Sequence, residues 1–112
     1  MKINEIIASN SAVTSQTSRS RDLGDNKIFA VHVKFTGADV VGTLTLEASS
    51  TDIDADYTTV DGSSVAVTAS ANHVYNVSNA GYQFVRVRWV YTSGTGDISA
   101  IITEKENSIK GG

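Results

Sequence analysis

The sequence predicts an all-β protein, a single antiparallel β-sandwich or jelly-roll-like domain of about eight short strands with a polar N-terminal arm. Three observations point there. Apolar residues recur with period two in several segments, and turn residues separate those segments at about 8–12-residue spacing. Thirteen Val, twelve Thr and fourteen Ser make up over a third of the 112 residues, which favours pleated, half-buried surfaces over helices.

The elements follow in chain order. In Lys2 to Ala8, Ile3, Ile6 and Ile7 have i, i+3, i+4 spacing, which fits one short amphipathic helix or an ordinary edge strand. The stretch SNSAVTSQTSRSR that follows has almost no large apolar groups. Residues 1–20 therefore read as an arm docking on this domain or on a neighbouring subunit, residues 21–104 as the sandwich, and 105–112 as a flexible tail ending in Gly-Gly. Removal of residues 1–20 is expected to abolish assembly and leave the fold.

In IFAVHVKF, Phe29, Val31, Val33 and Phe35 share one face, opposite Ile28, Ala30, His32 and Lys34. In GTLTLEAS, Leu44, Leu46 and Ala48 face inward, and in FVRVRWVY so do Val85, Val87, Trp89 and Tyr91. These three segments are the expected core strands. Weaker strands are expected at Ala12 to Ser18, Tyr57 to Val60, Ser64 to Thr68, His73 to Val77 and Ile98 to Glu104. Asp61-Gly62 reads as a tight hairpin turn between YTTV and SSVAV, and Ser93-Gly94-Thr95-Gly96 as the turn of a second hairpin.

Composition narrows function. The absence of Cys excludes disulfides, thiolate catalysis and thiolate metal sites. A net charge of −3 with scattered Arg and Lys argues against a nucleic-acid partner. MKINEIIASN lacks the apolar run of about 7–15 residues that a secretory signal needs. No segment approaches the roughly 20 apolar residues of a membrane helix, so a soluble product with no membrane partner is expected.

No catalytic, cofactor-binding or metal site is expected. Asp52, Asp54 and Asp56 have the D-x-D-x-D spacing that opens an EF-hand loop. The continuation departs from it, with Tyr57 where the loop needs Gly and Ser63 where it needs Glu, so a solvated acidic loop is the reading and a lone structural Ca²⁺ the alternative. His32 and His73 are the only histidines and read as solvent or interface residues. There is no G-x-S-x-G for a nucleophilic serine. Arg86 and Arg88 are expected to pair across strands with Glu47 or Glu104, or to make an intersubunit contact. Tyr57, Tyr75 and Tyr82 lie near strand ends, where they seal the sandwich or present rings to a glycan. Asn76-Val77-Ser78 is a glycosylation sequon only in a secreted eukaryotic protein.

The order of elements GTLTLEASSTD, YTTVDGSSVAVT and YNVSNAGYQFVRVRWVYTSGTGDISAIITEKE resembles small β-sandwich virion structural proteins of tailed bacteriophages. The matching positions are Leu44, Leu46, Ser50, Asp52, Tyr57, Asn76, Val77, Ser78, Gly81, Tyr82, Val85, Arg86, Val87 and Ser93 to Gly96, and the resemblance spans about two-thirds of the chain. The resemblance implies a non-enzymatic bacteriophage particle component, such as a capsid decoration, head-fibre or tail accessory protein. Such a protein is assembled in the host cytoplasm, forms a homo-oligomer and binds another virion protein. The strand pattern Y-x-x-V-R-V also resembles discoidin-type carbohydrate-binding jelly rolls, and a module for host-surface glycans is the competing expectation.

Overall fold

The computed structural model describes residues 2–24, 27–37, 39–68, 71–78 and 80–105. Ten strands are formed among them: β1 (Lys2–Ser11), β2 (Gln16–Thr17), β3 (Arg21–Asp22), β4 (Ile28–Thr36), β5 (Val41–Ser49), β6 (Thr58–Thr59), β7 (Val65–Val67), β8 (Ala71–Val77), β9 (Phe84–Ser93) and β10 (Asp97–Lys105). They make two antiparallel sheets. Sheet A has the order β1-β10-β4-β8. Sheet B has β9 and β5 at its centre, with β2 and β3 along the outer side of β9 and β6 and β7 along that of β5.

The period-two strands form for the reason their sequences suggest, since each has one face to bury. Phe29, Val31, Val33 and Phe35 from β4 meet Leu44, Leu46, Val85, Val87 and Trp89 from sheet B, all at most 2% exposed. Trp89 lies at the centre. Its ring is 4.7 Å from that of Phe35, and its indole N–H donates to the Ala12 carbonyl at 2.8 Å. Across the ladder Gly42 leaves it room, because a Cβ there would stand 2.4 Å from Trp89 Cη2. At one end of the sandwich, buried Glu104 of β10 pairs with Arg21 of β3, an ion pair that ties the two sheets together.

The N-terminal segment takes the edge-strand form, one of the two expected, and docks on this domain. Residues 2–11 are laddered to β10 as an edge strand of sheet A, Ala12 and Ser18 are buried, and β2 lies on β9. Removing residues 1–20 would therefore strip β1 and β2 from the domain. The helix-like spacing of Ile6 and Ile7 has a local cause. Glu5 pairs with Ile101 and Ile7 with Ala100, so Ile6 is the extra residue of a β-bulge and two consecutive isoleucines turn inward. Of the expected tail, Lys105 closes β10, and residues 106–112 lie outside the described residues.

Both expected hairpins are something else. β9 belongs to sheet B and β10 to sheet A, so the Ser93 to Gly96 turn is a crossover between sheets. It runs against the β4–β5 crossover so closely that a Cβ on Gly94, whose φ is 84°, would lie 2.0 Å from the Asp39 carbonyl oxygen. Asp39 answers by accepting hydrogen bonds from Thr95 N and Oγ1 at 3.1 and 3.2 Å. At Asp61-Gly62 the flanking strands β6 and β7 both pair with β5. The turn is an insertion within one edge of sheet B.

Candidate functional site

The chemistry-bearing residues gather past the end of β5, where the chain leaves sheet B through Ser50 to Asp52 and a 3-10 turn over Asp54–Asp56. Thr51 sets the entry, its amide bonded to Ser49 Oγ at 3.0 Å and its hydroxyl donating to Asp56 Oδ2 at 2.6 Å. Asp56 N and Tyr57 N close the turn on the Ile53 and Asp54 carbonyls. Each of the three expected carboxylates thereby acquires a separate partner. Asp56 holds Thr51, Asp52 accepts from the Tyr57 hydroxyl at 2.8 Å, and Asp54 accepts from Arg86 Nη1 at 2.7 Å. They do not converge.

Arg86 organises this cluster. It stands opposite Glu47 in the β5–β9 register and donates from Nε to Glu47 Oε1 at 2.8 Å, so the expected cross-strand pair forms with Glu47. Its guanidinium carbon sits 3.8 Å above the centre of the Tyr57 ring, a cation–π stack. Burial opposes the charge, but the hydrogen bonds that Arg86 donates to Glu47 and Asp54, with the attraction of their charges, outweigh it and hold the guanidinium above its ordinary range. Burial, reinforced by the bond to Asp52, also pushes the Tyr57 phenol up. Arg88 is exposed and reaches Thr17 Oγ1 at 3.4 Å. Glu104, the other expected partner, binds Arg21 instead, and its place in the inward series Ile98, Ala100, Ile102, Glu104 is the signal that could have shown it to be buried.

The three candidate rings have different surroundings. Tyr57 has one face covered by Arg86. Tyr75 is buried, its hydroxyl donating to the Ser63 carbonyl at 2.8 Å, and burial pushes its phenol well up. Tyr82 is half-buried, edge-on to Phe29 at 6.3 Å, and stands between two shallow surface depressions. One, of about 340 Å³, takes in Ser50, Asp56, Thr58 and Thr59; the other, of about 360 Å³, takes in Lys27, Gly81 and Gln83. Gln83 in turn donates to Asp22, whose carboxyl is held below its ordinary value by that bond first and by the Gly24 amide second.

The histidines lie elsewhere. His32 is on the outer face of sheet A, hydrogen-bonded to Asn72 Oδ1 at 3.0 Å, and His73 packs edge-on to Tyr75 at 4.6 Å. Both stand on sheet A, whereas the acidic turn follows a strand of sheet B. Sequence reasoning missed Ser18 and Ser63, buried serines whose hydroxyls bind backbone on β9 and β5. Among fourteen Ser nothing marks them except their place beside a strand signal.

No protein-family model and no curated protein matches the chain. Solved structures do. Ninety per cent of the chain superposes on 90% of the SPBc2 prophage-derived protein YomS, with a TM-score of 0.56 and 14% identity. The PBSX exported protein XepA matches 97% of the chain over 38% of its own length, with a TM-score of 0.65 and 19% identity. The N-terminal cellulose-binding domain of Cellulomonas fimi β-1,4-glucanase C matches 94% of the chain with a TM-score of 0.45 and 8% identity. At these identities the likeness to YomS and XepA is one of fold. The chain spans well under half of XepA.

Proposed function

We propose that this protein is a non-enzymatic structural component of a bacteriophage particle, of the capsid decoration, head-fibre or tail accessory kind, acting by self-association and by binding another virion protein. The observation that carries the proposal is the sandwich fold shared over at least nine-tenths of the chain with two phage-derived proteins. The polar chemistry supports it. The acidic turn, Arg86 and Tyr57 form one mutually bonded unit that stiffens the end of sheet B. The protein is assembled in the host cytoplasm and carried in the virion.

Particle association tests this. Phage particles from a host expressing the chain, banded on a density gradient, should contain it at many copies per particle. Recovery only in the particle-free lysate would overturn the proposal.

One observation favours a second reading, a module for host-surface glycans. Tyr82 borders two open depressions with hydroxyl and carboxylate groups beside it, the combination that stacks on and hydrogen-bonds a sugar. On a glycan array Tyr82→Ala should then abolish binding and Tyr75→Phe should not. An array on which the chain binds nothing ends this reading.

A further inference from the structure

The described residues expose four sheet edges, and three are blunted. The outer sides of β9 and β5 carry only two- and three-residue fragments. β1 is long, but its ladder to β10 is broken by two register shifts. Short strands and bulges are the devices by which sheets refuse an incoming strand. β8 has neither. Its seven residues keep unbroken register with β4, and no other strand among the described residues pairs with them. ANHVYNV contains no Pro, no Gly and no Lys, Arg, Asp or Glu, and its central Val74 is 53% exposed.

The strand is also self-complementary. Asn72, Val74 and Asn76 point outward, with His73 and Tyr75 on the core side. An antiparallel copy related by a two-fold axis at Val74 sets Val74 opposite Val74, Asn72 opposite Asn76, and His73 opposite Tyr75. On the outer face an apolar pair is flanked by two amide pairs, each side chain able to donate and accept. On the inner face two His–Tyr pairs form, a ring combination the chain already makes within itself at 4.6 Å. No like charges meet. Self-complementarity about one point is what a two-fold interface between identical chains requires.

We infer that β8 is the edge through which two copies of this chain join, antiparallel about Val74, merging two four-stranded sheets into one of eight strands. The inference deepens the self-association proposed above by naming its strand and its partner. The exposed row Ile101, His32 and Val74, three cross-strand neighbours on sheet A, then continues into the second copy.

Light scattering on the full chain across the micromolar range tests it. The wild type should approach twice the monomer mass. Val74→Lys places like charges directly opposite each other and should weaken association by about tenfold or more, with an unchanged circular dichroism spectrum because the site is exposed in the single chain. An independent probe uses the absence of cysteine. Val74→Cys should cross-link to a dimer under mild oxidation much faster than Val90→Cys on the outer face of sheet B, since directly opposed residues have Cβ atoms about 4.5–5.5 Å apart. Association that Val74→Lys leaves untouched would overturn the β8 edge and leave self-association standing. A monomer at every concentration, with Val74→Cys no faster than Val90→Cys, would overturn both, and particle binding would still be decided by the gradient.

Discussion

Sheet A is built from four long strands, whereas sheet B is two long strands dressed with fragments, and the difference decides what holds each together. In sheet A, β10 and β4 pair over nine consecutive positions and β4 and β8 over seven, so backbone ladders satisfy the chain. In sheet B each central strand meets a partner that breaks off and resumes. β2 and β3 are separated by one extra residue relative to β9, and β6 and β7 by three relative to β5. A buried serine stands at each break. Ser18 Oγ accepts from Val87 N at 2.8 Å, and Ser63 Oγ accepts from Leu46 N at 3.1 Å while donating to Leu46 O at 3.2 Å. A side chain thus completes what the backbone leaves open, because a buried amide without a partner is costly.

The largest effect should come from the centre of sheet B, where Trp89 packs against sheet A through Phe35. Trp89 is fully buried, fills the space over Gly42 and ties the chain at Ala12 to β9. Trp89→Ala should cost about 3–5 kcal/mol in chemical unfolding. That is a large part of the roughly 5–15 kcal/mol such a domain has. A loss under about 1 kcal/mol would mean that sheet A holds the sandwich without it.

The two serines give the next effect and sharpen the comparison directly. Ser63→Ala and Ser18→Ala should each cost about 1–3 kcal/mol, the penalty of a buried donor left unsatisfied. Each should also speed hydrogen exchange at one amide, Leu46 for the first and Val87 for the second. Equal protection of both amides in both variants would show that the fragments hold by backbone pairing alone.

What the sequence disclosed follows the same division. Long strands with one buried face are readable, because period two survives along β4, β5 and β9, and the pairing of Arg86 with Glu47 follows once two such strands are adjacent. Fragments of two residues carry no period. Turn residues announce a change of direction and do not say which strand comes next, so Asp61-Gly62 and Gly94-Thr95-Gly96 both read as hairpins when one is an insertion and the other a crossover. A bulge gave Ile6 and Ile7 a helical spacing within a strand. At the candidate site the acidic turn and Tyr82 were legible as residues, but their partners were not, since contacts between loops distant in sequence leave no periodic trace.

The smallest effect lies where the two sheets meet at their edges. Tyr75 of β8 reaches across to the Ser63 carbonyl at the break in sheet B, so the intact edge of one sheet braces the interrupted edge of the other. Tyr75→Phe should cost about 1 kcal/mol near neutral pH, the net worth of a typical hydrogen bond. Its pH dependence is more telling. Burial raises the Tyr75 phenol above its ordinary value of 10.0, so the folded state retains a proton that the unfolded chain releases. The contribution of Tyr75 is therefore complete below pH 10 and declines as the pH climbs past 10. Tyr57 and Tyr82 are raised in the same direction, chiefly by burial, and leave some alkaline slope in the variant. Melting curves from neutral to strongly alkaline pH should show the wild type ahead at first, with the gap closing above pH 10 as only the wild type pays the Tyr75 proton. A gap constant through that range would mean that Tyr75 ionises as freely in the folded protein as in the unfolded chain, and that the brace between the sheets is open to water.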